Sequence, residues 1–153
     1  MPLDKVELAA PVKRVLGALQ QEINETHAEV EVHASASPVL ANPMALEAIV
    51  SNLVMNSLKF VAPGATPKVQ VLAEEYDGMV RLSVQDNGIG IDPKYQDKVF
   101  RVFERLHGTE GYPGTGIGLA IVQKAAQRMH AKVGVESTLG KGSTFWVELP
   151  KYA

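Results

Sequence analysis

The apolar positions of this chain change period several times, and each change marks an element. Val12, Val15, Leu16, Leu19 and Ile23 recur at helical spacing. Pro11 precedes them where an opening helical turn tolerates a residue without an N–H. Residues 30–33 (VEVH) alternate and predict a strand, and 38–41 (PVLA) suggest a second, short one. Asn42 followed by Pro43 is a helix start, an N-cap with proline in the first turn. That helix runs to about Phe60 and stops at the loop APGATP. Two β-rich runs, 68–75 and 79–86, join around Asp77-Gly78, a hairpin signal. DNGIGIDP then breaks the pattern. Residues 94–106 are amphipathic and helical in part, GTEGYPGTG is a glycine-rich loop, and a helix follows from about Gly116 to His130. Residues 132–137 and 143–149 predict a second hairpin turning through the GKG at 140–142. With residues 1–5 as a lead-in, the expectation is α+β: about three main helices on one face of a mixed, largely antiparallel sheet.

Composition narrows the function classes. A chain of 153 residues suggests one domain with a real core. The formal net charge of -2 gives no electrostatic reason to expect nucleic acid or an anionic membrane as the main partner. The absence of cysteine excludes disulfides, thiolate zinc sites and cysteine nucleophiles, and fits a reducing compartment. With no apolar run long enough to span a bilayer and no signal peptide pattern, the expected location is the cytoplasm, as a protein or as the cytoplasmic piece of something larger.

Chemistry concentrates in three places. In the helix that begins at Pro43, Leu46, Ile49, Val50, Leu53, Val54 and Ser57 form one stripe at about 100° per residue. Asn52, Asn56 and Lys59 fall on a narrow stripe beside it. A solvated edge would account for polar residues there, but such edges usually carry Glu, Lys, Gln and Arg, because Asn is a mediocre helix former. An Asn carbonyl oxygen suits Mg²⁺, a hard cation that shares ligands with phosphates, and Lys59 adds a point charge for phosphate oxygens.

The second place is VQDNGIGID at 84–92. A strand delivers Asp86 to a break where Gly88 and Gly90 let backbone approach a ligand. Asp-Asn-Gly is also good turn chemistry by itself; the functional alternative is a carboxylate accepting from an exocyclic amine such as that of adenine. The third is PGTGIGLAIV at 113–122, where Gly114, Gly116 and Gly118 open an apolar helix whose free N–H groups suit phosphate. A Rossmann fingerprint would need a strand just before these glycines, and GKGST at 140–144 is not a Walker loop. The serine/threonine kinase signatures HRD and DFG are absent.

Together these segments resemble the ATP-binding domain of sensor histidine kinases, in the superfamily that includes gyrase, the heat-shock chaperone ATPase and mismatch-repair ATPases. NLVMNSLKF resembles the N box, DNGIG the first glycine box, VFRVFERLHG the F box, GTGIGLAIV the second glycine box and GKGSTFWVELP the closing hairpin. The run FERLHGTEGYPGTGIGLAIV looks closest to phytochrome-like and PAS-linked kinases. The resemblance implies a two-layer α/β sandwich of the Bergerat type, with an ATP-binding domain over 6–150 and a tail at 151–153; a lid at about 92–114 is expected to be loose without nucleotide, because it combines Gly108, Gly111, Pro113 and Gly114 with few apolar anchors after Leu106. It implies ATP and Mg²⁺ as ligands, with Asn56 on the metal and Asn52 near the phosphates. Lys59 contacts phosphate and Phe60 lies beside the nucleotide. Asp86 reads the adenine amino group in a pocket shaped by Gly88, Gly90 and Ile91. Arg105 reaches the terminal phosphate from the lid, with Phe100 and Phe103 as lid anchors. Gly114, Thr115, Gly116, Gly118 and Leu119 form the phosphate cradle and its wall, and Thr144 supports the adenine end.

One position bears on reaction type. The related ATPases carry a glutamate one turn before the Mg²⁺ asparagine, as general base for water. Here that position is Asn52, and an amide takes no proton at neutral pH. Glu47 lies well round the helix. The expectation is slow hydrolysis and phosphoryl transfer to an external nucleophile, catalysed by positioning and charge through Asn52, Lys59 and Arg105. His27, His33, His107 and His130 lack the acidic neighbour of a phosphoacceptor motif, so the acceptor histidine is expected on a separate helical dimerisation domain, with a response regulator as the indirect partner. The isolated chain is expected to be a monomer, with no contact to nucleic acid or membrane. Two alternatives share the boxes: an anti-sigma-type serine kinase and a non-catalytic nucleotide-binding module.

Overall fold

A computed structural model of the chain describes residues 2–93, 96, 100 and 118–152. The elements run β1 (Asp4–Val6), α1 (Ala9–Ala18), α2 (Gln20–Thr26), β2 (Glu29–His33), β3 (Val39–Ala41), α3 (Pro43–Lys59), β4 (Lys68–Tyr76), β5 (Met79–Asp86), α4 (Gly118–Arg128), β6 (Lys132–Thr138) and β7 (Gly142–Pro150). Five strands form one sheet in the order β2-β4-β5-β7-β6, parallel between β2 and β4 and antiparallel elsewhere. β1 and β3 make a separate antiparallel pair. The architecture is the mixed, largely antiparallel α+β arrangement that the pattern predicts.

Two local expectations change. The helix predicted through Val12–Ile23 bends at Leu19 (φ -97, ψ 11) into α1 and α2, so the described residues hold four helices rather than about three. Gly17, a weak helix former, sits two residues before the bend. The backbone bonding carries across it, with Leu19 N–H on the Val15 carbonyl and Ile23 N–H on the Leu19 carbonyl. The bend keeps Leu16, Leu19 and Ile23 all packed on the core. The lead-in is also corrected: Asp4–Val6 form β1, whose Val6 is buried against β3.

α3 carries the core. Asn42 caps it, its side-chain oxygen accepting from Ala45 N–H at 2.9 Å while its amide nitrogen donates to the Pro2 carbonyl at 2.9 Å. Leu46, Ile49, Val50, Leu53, Val54 and Leu58 are buried. They meet the inward face of the sheet, where register aligns Val71, Val84 and Phe145 in one row and Ala73, Leu82 and Val147 in the next. Side chains alternate across a strand, so the same parity continues to Val69 and, opposite it, Asp86. A carboxylate thus ends an otherwise apolar row. On the outward face the Arg81 guanidinium stacks 3.8 Å from the Trp146 ring centroid and pairs with Glu148 at 2.9 Å. The indole covers Gly134, where a Cβ would come within 2.2 Å of it.

Asn42→Ala is expected to lower unfolding stability by about 1–2 kcal/mol, because α3 loses its cap. Asn42→Asp, which keeps the acceptor, should lose clearly less. Urea titrations of the three proteins check this, and an alanine variant as stable as the parent would refute the cap's importance.

Candidate functional site

Asp86 is where α3, β5 and β7 meet. Its Oδ1 accepts N–H bonds from Gly88 at 2.9 Å and Ser143 at 3.0 Å, and Ser57 Oγ lies 3.1 Å from Oδ2. The Ser57 hydroxyl is also 3.1 Å from the Leu53 carbonyl, and its single hydrogen serves one acceptor at a time. Burial pushes the Asp86 carboxyl above its ordinary value, while the N–H bonds from Gly88 and Ser143 and the Ser57 contact oppose that rise. An ionised carboxylate has about four acceptor positions. Three are engaged by these contacts, leaving Oδ2 able to accept one further N–H.

The turn after Asp86 is wedged between two elements. A Cβ on Gly88 would lie 2.3 Å from the Phe60 carbonyl oxygen, which is also the acceptor for Ile89 N–H at 2.9 Å. Gly90 has φ +75, and a Cβ there would lie 2.2 Å from the Thr138 carbonyl oxygen. Gly140 N–H closes the other side on the Ile89 carbonyl at 2.7 Å. Asn87 points away from the turn, bonding Lys68 N–H and the Thr66 carbonyl, and so fixes the entry to β4.

The polar stripe of α3 stands next to this corner, since Ser57 follows Asn56 and touches Asp86. Asn52 donates its amide hydrogen to the Ala48 carbonyl at 2.7 Å, a bond one turn back along the helix. Its second amide hydrogen and its amide oxygen make no hydrogen bond among the described residues. The Asn56 amide is half-buried, and the Lys59 ammonium is exposed; neither side chain makes a hydrogen bond or ion pair among the described residues. Phe60 is half-buried at the helix end. Glu47 is tied to Arg14 of α1 at 3.3 Å.

α4 packs along α3, and Met129 just beyond its end places its sulfur 3.3 Å from the Asn42 N–H at the start of α3. The two helices therefore run antiparallel. At about 1.5 Å per residue, the Gly118 end of α4 falls beside the turn of α3 around Leu53. Leu119 there is half-buried against the core.

The structure thus gathers Asp86, Gly88, Gly90 and buried Ile91 at one corner, with Asn52, Asn56, Lys59 and Phe60 on the adjoining helix and Gly118 and Leu119 facing that helix's second half. Arg105, Phe103, Gly114, Thr115 and Gly116 lie outside the described residues, as does the lid expected at 92–114 apart from Asp92, Pro93, Gln96 and Phe100. Phe100 packs edge-on against Phe145, with centroids 6.2 Å apart. Thr144 is not brought to Asp86: it pairs with Gln85 on the opposite face of the sheet. A shift of one residue changes faces, and Ser143 is the residue that reaches the carboxylate. Sequence reasoning passed over Ser143, and assigned Ser57 to packing alone. The parity of β7 carried the missing signal, because Ser143 shares its face with Phe145 and Val147.

The profile described as histidine kinase-, DNA gyrase B- and HSP90-like ATPase matches residues 41–153. The chain belongs to this family. Within the family its similarity runs to sensor kinases. It is 39% identical over 139 residues to the phytochrome-like protein Cph1 of Synechocystis, covering 91% of this chain and 18% of that protein. The chain spans about a fifth of the length of such curated relatives. Among solved structures it is similar to the mycobacterial sensor histidine kinase MprB, with TM-score 0.81, 26% identity and 97% of each chain covered. It is also similar to full-length ShkA in complex with AMPPNP, with TM-score 0.82, 29% identity, and 99% of this chain and 32% of that one covered. The family's ATPase domain structures share the mixed sheet and helical layer described above. No helix among the described residues is long and apolar enough to cross a membrane.

Asp86→Asn tests how the half-buried carboxyl bears on stability. The substituted amide oxygen retains the Gly88 and Ser143 bonds, so the fold should persist. The pKa of Asp86 is raised on folding, so its contribution to stability is fullest below the unfolded carboxylate value. That contribution is lost as pH climbs through the raised folded value. As pH rises from the ordinary carboxylate range of about 4, the parent should therefore lose stability relative to Asp86→Asn until the folded-state carboxyl is fully ionised. Urea midpoints measured across that range test the sign, and identical pH slopes would contradict it.

Proposed function

We propose that this domain binds Mg–ATP and donates the γ-phosphoryl group to a histidine on a separate helical dimerisation domain, within a two-component relay that ends at a response regulator. The observation that carries the reading is the open acceptor position of Asp86, which touches Ser57 beside the helix edge bearing Asn56 and Lys59, themselves without partners among the described residues. Family membership and the likeness to a kinase complexed with AMPPNP, an ATP analogue, support the same ligand.

The residues present fit both nucleotide and metal. Asp86 Oδ2 would accept from the exocyclic amine of adenine, a donor that guanine lacks at the equivalent position. Asn56 would hold Mg²⁺ through its amide oxygen, a hard ligand of the right kind. Lys59 would offset phosphate charge. Mg²⁺ when bound supplies charge neutralisation for the transferring phosphoryl group. Asn52, an amide with one of its two hydrogens returned to Ala48, removes no proton from water at neutral pH; Glu47 is held by Arg14. Among the described residues this edge therefore lacks a general base, which favours transfer to an external nucleophile over hydrolysis. Residues 6–150 form the proposed functional unit, with Arg105 and the 114–116 glycines completing the phosphate end. We read it as a cytoplasmic domain, monomeric in isolation.

The test uses the chain with radiolabelled ATP, Mg²⁺ and a purified helical-hairpin acceptor. Acid-labile label on the acceptor histidine is expected, reduced more than about tenfold by Asn56→Ala, the size of one lost charge-assisted contact, and abolished by EDTA. Acid-stable label on serine would redirect the assignment to a serine kinase. No calorimetric binding of Mg–ATP at millimolar concentration would remove the reading altogether.

A further inference from the structure

Both main-chain groups of Ile91 are held by one pair of side chains that the site above does not use. Ile91 N–H donates to Ser137 Oγ at 2.8 Å, and the Ile91 carbonyl accepts from Gln96 Nε2 at 3.1 Å. The same Nε2 donates to the Ser137 carbonyl at 3.0 Å, so both hydrogens of that half-buried amide are engaged. Ser137 Oγ lies 3.0 Å from the Gly142 carbonyl and 2.8 Å from Ser143 Oγ. Ser143 N–H is in turn one of the donors to Asp86. The linkage runs from Gln96, through the end of β6 and the start of β7, to the carboxylate. On its way it pins the residue after Gly90, whose backbone is already pressed against Thr138.

The bland explanation is a loop anchor. An anchor would hold the segment but would not need to end on a half-buried carboxylate that keeps an open acceptor. Here the same units set two of the three contacts on Asp86: Gly88 belongs to the turn that Ile91 terminates, and Ser143 to the strand that Ser137 faces. Displacing the Ile91 corner therefore moves both N–H donors that orient Oδ1, and with them the direction in which Oδ2 is presented.

We infer that Ser137 and Gln96 are positioning residues for base recognition, clamping the glycine turn against the β6–β7 hairpin so that Asp86 presents its open acceptor to the incoming amine. The inference rests on the reading of Asp86 as the adenine-selecting group.

The experiment titrates the 153-residue chain and its variants with Mg–ADP, Mg–AMPPNP and Mg–GDP by calorimetry, and follows hydrogen exchange at the Ile91 amide. Gln96→Met keeps length and volume without donors, and Ser137→Ala removes the hydroxyl. Each is expected to weaken ADP and AMPPNP by the same factor, about tenfold. Each should also narrow the preference for ADP over GDP and speed Ile91 exchange. An equal loss for both adenine nucleotides locates the effect at the base they share; a loss confined to AMPPNP would overturn the clamp in favour of a role at the phosphates. The double variant should be little worse than either single one, as members of one network are not additive. Ser137→Thr, which keeps the hydroxyl, should restore affinity. In Gln96→Glu the defect should shrink as pH falls toward the carboxylate range, because the protonated acid regains a donor. A purely structural anchor would shift the unfolding midpoint while leaving the ADP-to-GDP ratio untouched, and that result overturns the inference. If Ser137→Ala does not fold, the two Gln96 variants carry the test. A parent chain that binds none of the three nucleotides defeats the site reading and the clamp with it; a parent that binds ADP beside unaffected variants defeats the clamp alone.

Discussion

A half-buried carboxylate must be satisfied, and that requirement organises one end of this molecule. Asp86 closes an apolar row of the sheet, where an ionised group is costly unless donors surround it. The chain answers with donors from three separate places: the turn beyond β5, the start of β7 and the last turns of α3. Because these are far apart in sequence, the carboxylate joins the helical layer to the sheet at the edge where Val69 gives the core its last apolar cover. Two of the donors share one oxygen, and the other oxygen is left with capacity to spare. A group that ties the two layers together is thereby also the group with chemistry left over.

α3 serves both layers through the angular offset of its stripes. The apolar stripe fixes the helix rotationally on the sheet, so Asn52, Asn56 and Lys59 emerge along a defined edge rather than wherever a loose surface helix would place them. Rotation of the helix by the angle between neighbouring residues would bury the amides or expose Leu53. The capped start, the Met129 contact and the Ile89 bond to the Phe60 carbonyl hold the helix at both ends. Preorganisation of this kind fixes where the polar groups leave the helix, so that only their own rotamers remain to be ordered when a ligand arrives.

Much of this was readable in the residues. Asn42-Pro43, Asp77-Gly78 and the alternation through 79–86 each carry a strong local signal, and the elements they predict stand where expected. The bend at Leu19 was not readable, because the apolar spacing continues through it without interruption. Asp4–Val6 became a strand only by pairing with β3, a contact of long sequence separation that leaves no local trace. The same reasoning explains the site. Asn52, Asn56 and Lys59 stand out as unusual residues in a core helix, and Asp86 stands out beside its glycines. Serines do not. Ser57, Ser137 and Ser143 look like ordinary small residues, and their importance depends on register: a hydroxyl or N–H matters when a paired strand carries it under the carboxylate, and Thr144, one place along, is carried to the far side.

The outward face of the sheet has a consequence of another kind. The chain's single tryptophan lies flat over Gly134 beneath the Arg81 guanidinium, with the whole thickness of the sheet between it and the Asp86 side. A cation stacked on the indole and a hydrogen-bonded backbone behind it give that fluorophore surroundings of its own. Its emission is a gauge of sheet integrity, largely blind to events among the helices.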